Sequence, residues 1–286
     1  MLKEYHYAGK FSWPNDQRVA VALTFDFQGG EDVRPGADGK MDHEEYTQAE
    51  YGPHTAIWRI LRILEEEGVK GTFNTCGGIA ERYPAAVKAI VSKGHEIAGH
   101  GYHHEVARDL TREQEIEVMR RTTAMIRSTT GHTPVGWRSC TQSPNSLELL
   151  MEHGYLFNSN SFSHDLPFLW EGANGGVLVE LPRQPFGDGR TYQHRNNDAG
   201  NPHDTLLVWK AMFDELYDES KIAPTYVPFQ FHPYISGRPG RANTLRNIIR
   251  HMKKDGVWFA TGSEVARWCL DEVFKVGKAA PQKAAS

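Results

Sequence analysis

Several polar residues stand where short apolar runs of this sequence stop. Asp26 follows RVAVALTF, the segment GHGYHHE follows HEIA, Arg138 follows PVGW, and His232 follows YVPFQF. An Asp at the end of an apolar strand is costly unless it is paired or faces a cleft. Asp26 therefore reads either as a cap on the next loop or as a general base whose pKa a neighbouring cation sets. His100 and His104 are four apart, with His103 between them. On one helical turn they would share a face and could grip one ion, and neutral imidazole suits Zn²⁺ or Co²⁺. Arg138 is either a surface residue or a bidentate partner that orients Asp26. His232, rigidified by Pro233, is either a satisfied half-buried His or an acid that protonates a leaving nitrogen. Base, His pair, Arg and late His form the set that metal-assisted amide hydrolysis needs. In such chemistry the metal polarises the carbonyl and lowers the pKa of water from 15.7 toward about 7.

These residues work together only if their strands end on one side of a common sheet. A recurring pattern supplies that arrangement: an amphipathic helix, then Gly, then a short apolar run. It occurs around Gly68, Gly94, Gly131, Gly154 and Gly256. Gly accepts the left-handed conformation that ends a helix, so each reads as a helix stop before a buried strand. A further strand is expected at VLVEL. Thr111 with Gln114 spells a capping box before IEVMRRTTAMI, and Ser143-Pro144 spells an N-cap and first turn before LELLMEH. Alternating strands and helices imply a mostly parallel sheet with helices outside. Seven or eight units favour a closed or nearly closed barrel, whose working residues lie at the strand carboxyl ends. Two long polar stretches, 27–52 and 183–203, read as functional loops.

The 286 residues carry a formal charge of −4, with 39% hydrophobic and 24% charged residues. That is the composition of a globular enzyme. It holds no basic field for nucleic acid or an anionic membrane, and no run of about 20 apolar residues that could span one. The start, MLKEYHYAGKFSWPND, lacks the form of a secretory signal. Cys76, Cys140 and Cys269 do not make a disulfide framework, so a cytoplasmic location is expected. No linker divides the chain. The expected organisation is an extension over 1–17, one barrel domain over 18–272 and a flexible tail over 273–286.

The pieces ALTFD, GHEIAGHGYHH, GWRS, SPNSLELLMEHGYLFNS, HDLPF, WKAMFDELYDE and FHPYISGRPGR, in that order, resemble the polysaccharide deacetylase (NodB-homology, carbohydrate esterase family four) superfamily. The resemblance covers roughly residues 18–270. The later motifs are similar to a clade of cytoplasmic peptidoglycan-deacetylase-like, allantoinase-like and cyclic imide hydrolase proteins. The resemblance implies a single-domain distorted (β/α) barrel. It also implies Asp26 as base, His100 and His104 as ligands of a divalent metal (zinc, with cobalt or manganese as alternatives), and His232 as acid. It further suggests a homotetramer whose neighbouring loops close the pocket.

The chain departs from the family pattern in two places. The second Asp that usually completes the metal site, next to the base or two residues on, is replaced by Phe27 and Gln28. Gln28 could still bind through its carbonyl oxygen, or Glu31, Asp32 or His164 could complete the site. The usual Arg-x-Pro-aromatic stretch reads Arg138-Ser139-Cys140-Thr141. The leading expectation is hydrolysis of a small cyclic amide or imide. The alternatives are N-deacetylation of amino sugars in peptidoglycan- or chitin-like glycans, and a non-catalytic carbohydrate-binding relic. The element 237–252 reads as a partner-facing helix or an ordinary outer one.

Overall fold

A computed structural model of the chain describes residues 2–7, 11–192 and 201–276. Its centre is strand β2 (Val19–Phe27), nine residues that are all buried. One edge of β2 pairs in parallel with β9 (Thr225–Phe231). Its other edge is shared: β10 (Val257–Ala260) takes the first half and β3 (Thr72–Thr75) the second. From β3 the sheet continues in parallel through β4 (Glu96–Gly99), β5 (Gly136–Trp137), β6 (Phe157–Asn158) and β8 (Val177–Glu180). Two antiparallel strands, β7 (Phe168–Glu171) and β1 (Lys3–Tyr5), complete the edge.

Strand alternation separates two cores. Val19, Val21, Leu23, Phe25 and Phe27 point outward and meet Ile57, Ile60, Leu61 and Leu64 of helix α1 (Ile57–Glu66). That helix carries its apolar residues at helical spacing, which gives it one stripe to bury. Inward, Ala20 of β2, Ala98 of β4, Phe157 of β6, Val179 of β8, Tyr226 of β9 and Ala260 of β10 form one cluster. Side chains from six strands meet on one face only if the sheet curls around them, so the fold is an α/β distorted barrel. Among the described residues no ladder joins β8 to β9, and the barrel is open there. Helix α2 (Gly262–Trp268) plugs the interior: Gly262 N donates to Thr72 Oγ1, and Val265 and Ala266 join the inner cluster. The segment before residue 18 is built in too, through β1 and the fully buried Trp13, whose indole donates to the Thr225 carbonyl.

All five expected helix-stop glycines have positive φ. Gly256 differs in context: its helix, α3 (Pro239–Met252), ends four residues earlier, and Gly256 sits in the turn that starts β10. The apolar residues of α3 are buried in the outer core, so 237–252 holds an outer helix. The capping box at Thr111 and Gln114 is complete in both directions. The Ser143 hydroxyl accepts from the Asn145 amide as a cap would, while donating to the buried Glu115 carboxylate, and the regular helix α4 (Ser146–Glu152) begins after that turn. The stretch 27–52 is partly helical. Asp42 accepts from the Glu44 and Glu45 amides and starts helix α5 (His43–Tyr51), whose weakly apolar surface hid it from pattern reading. In 183–203, a short helix α6 spans Asp188–Thr191 and Asn201 caps α7 (Pro202–Glu219); residues 193–200 and 277–286 lie outside the described ones. Among the described residues no helix is long and apolar enough to cross a membrane.

Candidate active site

Asp26 and Asn74 are laterally paired on β2 and β3, so their side chains emerge side by side. The Asn74 amide donates to Asp26 Oδ1 at 2.7 Å. On the other flank Gln230 of β9 donates to Asp26 Oδ2 at 2.6 Å, and Arg138 Nη1 donates to the same oxygen at 3.3 Å. Both members of that ion pair are almost fully buried, at 1% and 3% side-chain exposure. Burial pushes the Asp26 pKa up, but Arg138, His100, His232 and the Asn74 bond outweigh it. They hold the carboxyl well below its usual range. Arg138 is further fixed by a 2.8 Å bond to Ser159 Oγ.

His100 lies one pleat beyond Ala98 of β4 and is 2% exposed. Its Nδ1 is 2.7 Å from the Arg138 carbonyl, which accepts the Nδ1 proton and leaves the lone pair on Nε2. Nε2 is buried and has no hydrogen-bond partner. The His104 ring lies beside it, centroids 4.7 Å apart and planes tilted by 60°. The pair is not on a helix, as the spacing suggested. Gly101 and His104 both take positive φ, 76° and 52°, and a tight turn brings the two rings together. Arg34 holds that turn by donating to the His103 and His104 carbonyls. Burial lowers the pKa of both imidazoles, His100 further opposes protonation of His104, and His232 opposes protonation of both. Both therefore stay neutral near pH 7, the state that can ligate. His103 turns away, its Nδ1 2.7 Å from Glu31.

Gln28 is 3% exposed at the end of β2. Its amide nitrogen donates to Asp32 Oδ2 at 3.2 Å, which orients the carboxamide and leaves Oε1 buried without a partner. The flipped amide would set oxygen against carboxylate, so Oε1 is the unpartnered end of the dipole. Two unpartnered acceptors, His100 Nε2 and Gln28 Oε1, together with neutral His104, suit a divalent cation. Among the described residues no third His, Cys or carboxylate comes close enough to complete a tight triad with His100 and His104. Glu31 is already tied to Arg82 at 2.6 Å and to His103. His164 lies against Glu4 and His6 instead.

His232 directly follows the end of β9. Its Nδ1 is 2.6 Å from Asp188 Oδ1, its backbone amide donates to Asp188 Oδ2, and its Nε2 is 3.9 Å from Asp26. Burial lowers its pKa, but Asp188 and Asp26 outweigh that and raise it above the ordinary value. Asp188, Asn74 and Gln230 escaped sequence reading. Asn74 ends the strand TFN, and Gln230 precedes His232 by two, so strand alternation held a signal for both. Asp188 lies 44 residues away in an irregular stretch, where none exists. Arg183 was missed too. It donates to Gln230 Oε1 at 3.3 Å, and burial, with Arg138 nearby, pushes its pKa down to about 9.

The family model for polysaccharide deacetylases matches residues 46–164. A solved Mycobacterium smegmatis structure, assigned as a polysaccharide deacetylase, is 31% identical with a TM-score of 0.82, and the match covers 98% of both chains. The PuuE allantoinase structure is 26% identical with a TM-score of 0.83, over 91% of this chain and 93% of that one. The peptidoglycan deacetylase of Helicobacter pylori is 26% identical over 80% of this chain and 88% of its own.

Proposed function

This chain belongs to the polysaccharide deacetylase (NodB-homology, carbohydrate esterase family four) superfamily, and we propose that within it the protein opens a small cyclic amide or imide. At the coarser level it is a hydrolase of carbon–nitrogen bonds other than peptide bonds, with a divalent metal as cofactor. The observation that carries the finer reading is the enclosure of the reacting groups. Asp26 and His100 are each 2% exposed and Arg138 1%. Such a site suits a compact substrate better than a polymer chain. The similarity to an allantoinase, by its name an enzyme acting on a small molecule, supports the same reading.

In this proposal His100, His104 and the Gln28 carbonyl hold the metal, zinc by ligand type. When bound, the ion polarises the scissile carbonyl and eases ionisation of water. Asp26 is the base. Arg138, Asn74 and Gln230 keep it ionised and pointed, so its carboxylate is available at every physiological pH. His232 is the acid: Asp188 holds its Nδ1 proton and keeps the ring charged, and Nε2 delivers a proton to the departing nitrogen. Gln28 held by Asp32 is neutral, so it leaves the ion more electrophilic than a carboxylate would. An imide also has a better leaving nitrogen than an acetamide. The buried thiols of Cys76 and Cys269, outside any disulfide, support the proposed reducing cytoplasmic location. Exposed Leu207 and Val208 on α7 offer apolar surface for the proposed homotetramer.

The decisive experiment measures bound metal and turnover on a panel of cyclic imides, cyclic amides and N-acetylated amino-sugar oligomers. Imide turnover that disappears on chelation and returns with zinc is expected. Turnover of the oligomers alone would overturn the substrate class.

A further inference from the structure

We propose that Glu4, His6 and His164 form a second, structural site for a divalent cation of the zinc class, one that fastens strand β1 to the edge of the sheet. Each residue offers one donor atom, and the three atoms lie within 4.8 Å of one another. His6 Nε2 is 2.6 Å from Glu4 Oε1, and His164 Nδ1 is 3.7 Å from the same oxygen. A tetrahedral zinc with bonds of about 2.0–2.2 Å to N and O sets its ligand atoms roughly 3.3 Å apart. The two separations from Glu4 straddle that value, so small side-chain rotations would bring both to it.

The chemistry of the cluster favours a cation over a shared proton. The two imidazole rings lie 4.0 Å apart, tilted by 30°. That closeness lets a single ion reach a nitrogen of each ring. A divalent ion binds both as neutral ligands and uses the carboxylate as the third, the His/His/Glu set that zinc accepts. The surroundings already orient the ligands. Ser163 Oγ is 2.7 Å from His164 Nδ1, a bond the ion would replace. The Phe168 ring, 1% exposed, forms an apolar floor 5.2 Å from His6 and 4.9 Å from His164. Partners of this kind raise ligand preorganisation.

Position explains what the ion would do. Glu4 and His6 alternate along one side of β1, and Glu4 pairs with Trp170 of β7. Trp170 packs with Trp137 and Leu178 in the outer core, on the face opposite the inward-pointing Asp26 and Arg138. The cluster is therefore distinct from the catalytic imidazoles. Strand β1 has three exposed residues and three ladder pairs, and its ion pair to β7, Lys3–Glu171, is long at 4.0 Å. A cross-link from residues 4 and 6 to residue 164 closes a loop of more than 150 residues. Long closures stabilise most, because they remove most freedom from the unfolded chain.

The test uses tag-free full-length protein stripped by a chelator and titrated with Zn²⁺ alone. Wild type should bind two equivalents, and His6→Ala or His164→Ala one. The double variant His100→Ala, His104→Ala should retain one equivalent, and that equivalent should raise its Tm and slow proteolysis near residue 10. Adding His6→Ala to the double variant should abolish both effects. The double variant probes the catalytic ligand assignment separately, so the two readings fail independently. If it binds no zinc, or if His6→Ala leaves the stoichiometry of wild type unchanged, the site does not exist.

Discussion

Asp188 and Gln28 each make a chemical commitment at the scale of one side chain. The charge of Asp188 is what keeps His232 above its ordinary pKa despite burial. In Asp188→Asn the burial effect wins and the His232 pKa falls. The alkaline limb of kcat/KM should move down by about one pH unit or more, with larger losses at pH 8 than at pH 6. A uniform loss across pH would show that Asp188 only places the ring. For Gln28→Asp, an anionic oxygen attracts the cation more strongly than an amide oxygen, so metal affinity should rise, and the activity optimum should move to higher pH as the ion becomes a weaker Lewis acid. Metal titration of both forms checks this, and unchanged affinity would assign Gln28 to substrate instead. Asp26, His100, His104, Arg138 and His232 were legible because each interrupts or ends an apolar run. Asp188, which raises the His232 pKa, was not, since it meets that ring only across the fold.

Between elements, two glycines show different physical demands. Gly131 ends the helix Arg112–Thr130 at φ 78°, with nothing within 4 Å of the position a Cβ would take. Gly131→Ala should cost about 1 kcal/mol, from backbone strain alone. Gly136 begins β5, and a Cβ there would fall 1.9 Å from the Phe157 ring inside the barrel. Gly136→Ala should cost about 1–3 kcal/mol or more through overpacking. Phe157→Leu should recover part of that loss, while leaving the Gly131→Ala cost untouched. Denaturant midpoints of the singles and doubles measure both, and equal costs without coupling would refute the packing account. The helix stop at Gly131 is written locally in the sequence. The demand at Gly136 is not, because the ring that fills its space arrives from a neighbouring strand.

For the molecule as a whole, stability should fall on the acid side of neutrality. His95 is buried beside β3, where its Nδ1 accepts from the Gly71 amide at 3.3 Å. Burial first, then Lys70 and Lys93, pushes its pKa down to about 4. The fold therefore prefers neutral His95, while the unfolded chain protonates near pH 6.5. The stabilisation is complete above that pH and is lost as pH falls toward 4, on the order of 2 kcal/mol after allowance for partial solvent access. His100 and His104, lowered in the same direction, add to this window, and the raised pKa of His232 opposes it. His95→Gln should flatten the decline in Tm between pH 7 and pH 4.5 without abolishing it. A slope identical to wild type would show that His95 does not titrate in that window.

The periodicity of apolar residues by itself determined the alternating elements, and with them a mostly parallel sheet carrying Asp26, His100, Arg138 and His232 at one end. Those are short-range properties: a strand buries every residue on both faces, and a helix stops where only glycine fits. Tertiary structure decided how the site is charged and who shares it. Pairing of β3 and β9 with β2 brought Asn74 and Gln230 to flank Asp26. A tight turn, not a helix, set His104 against His100. The loop after β8 delivered Asp188 to His232. Glu31 was drawn off by Arg82 and His103, and His164 by Glu4 and His6. Electrostatic energy depends on distance and burial, and for residues far apart in the chain both exist only once the barrel has closed around them.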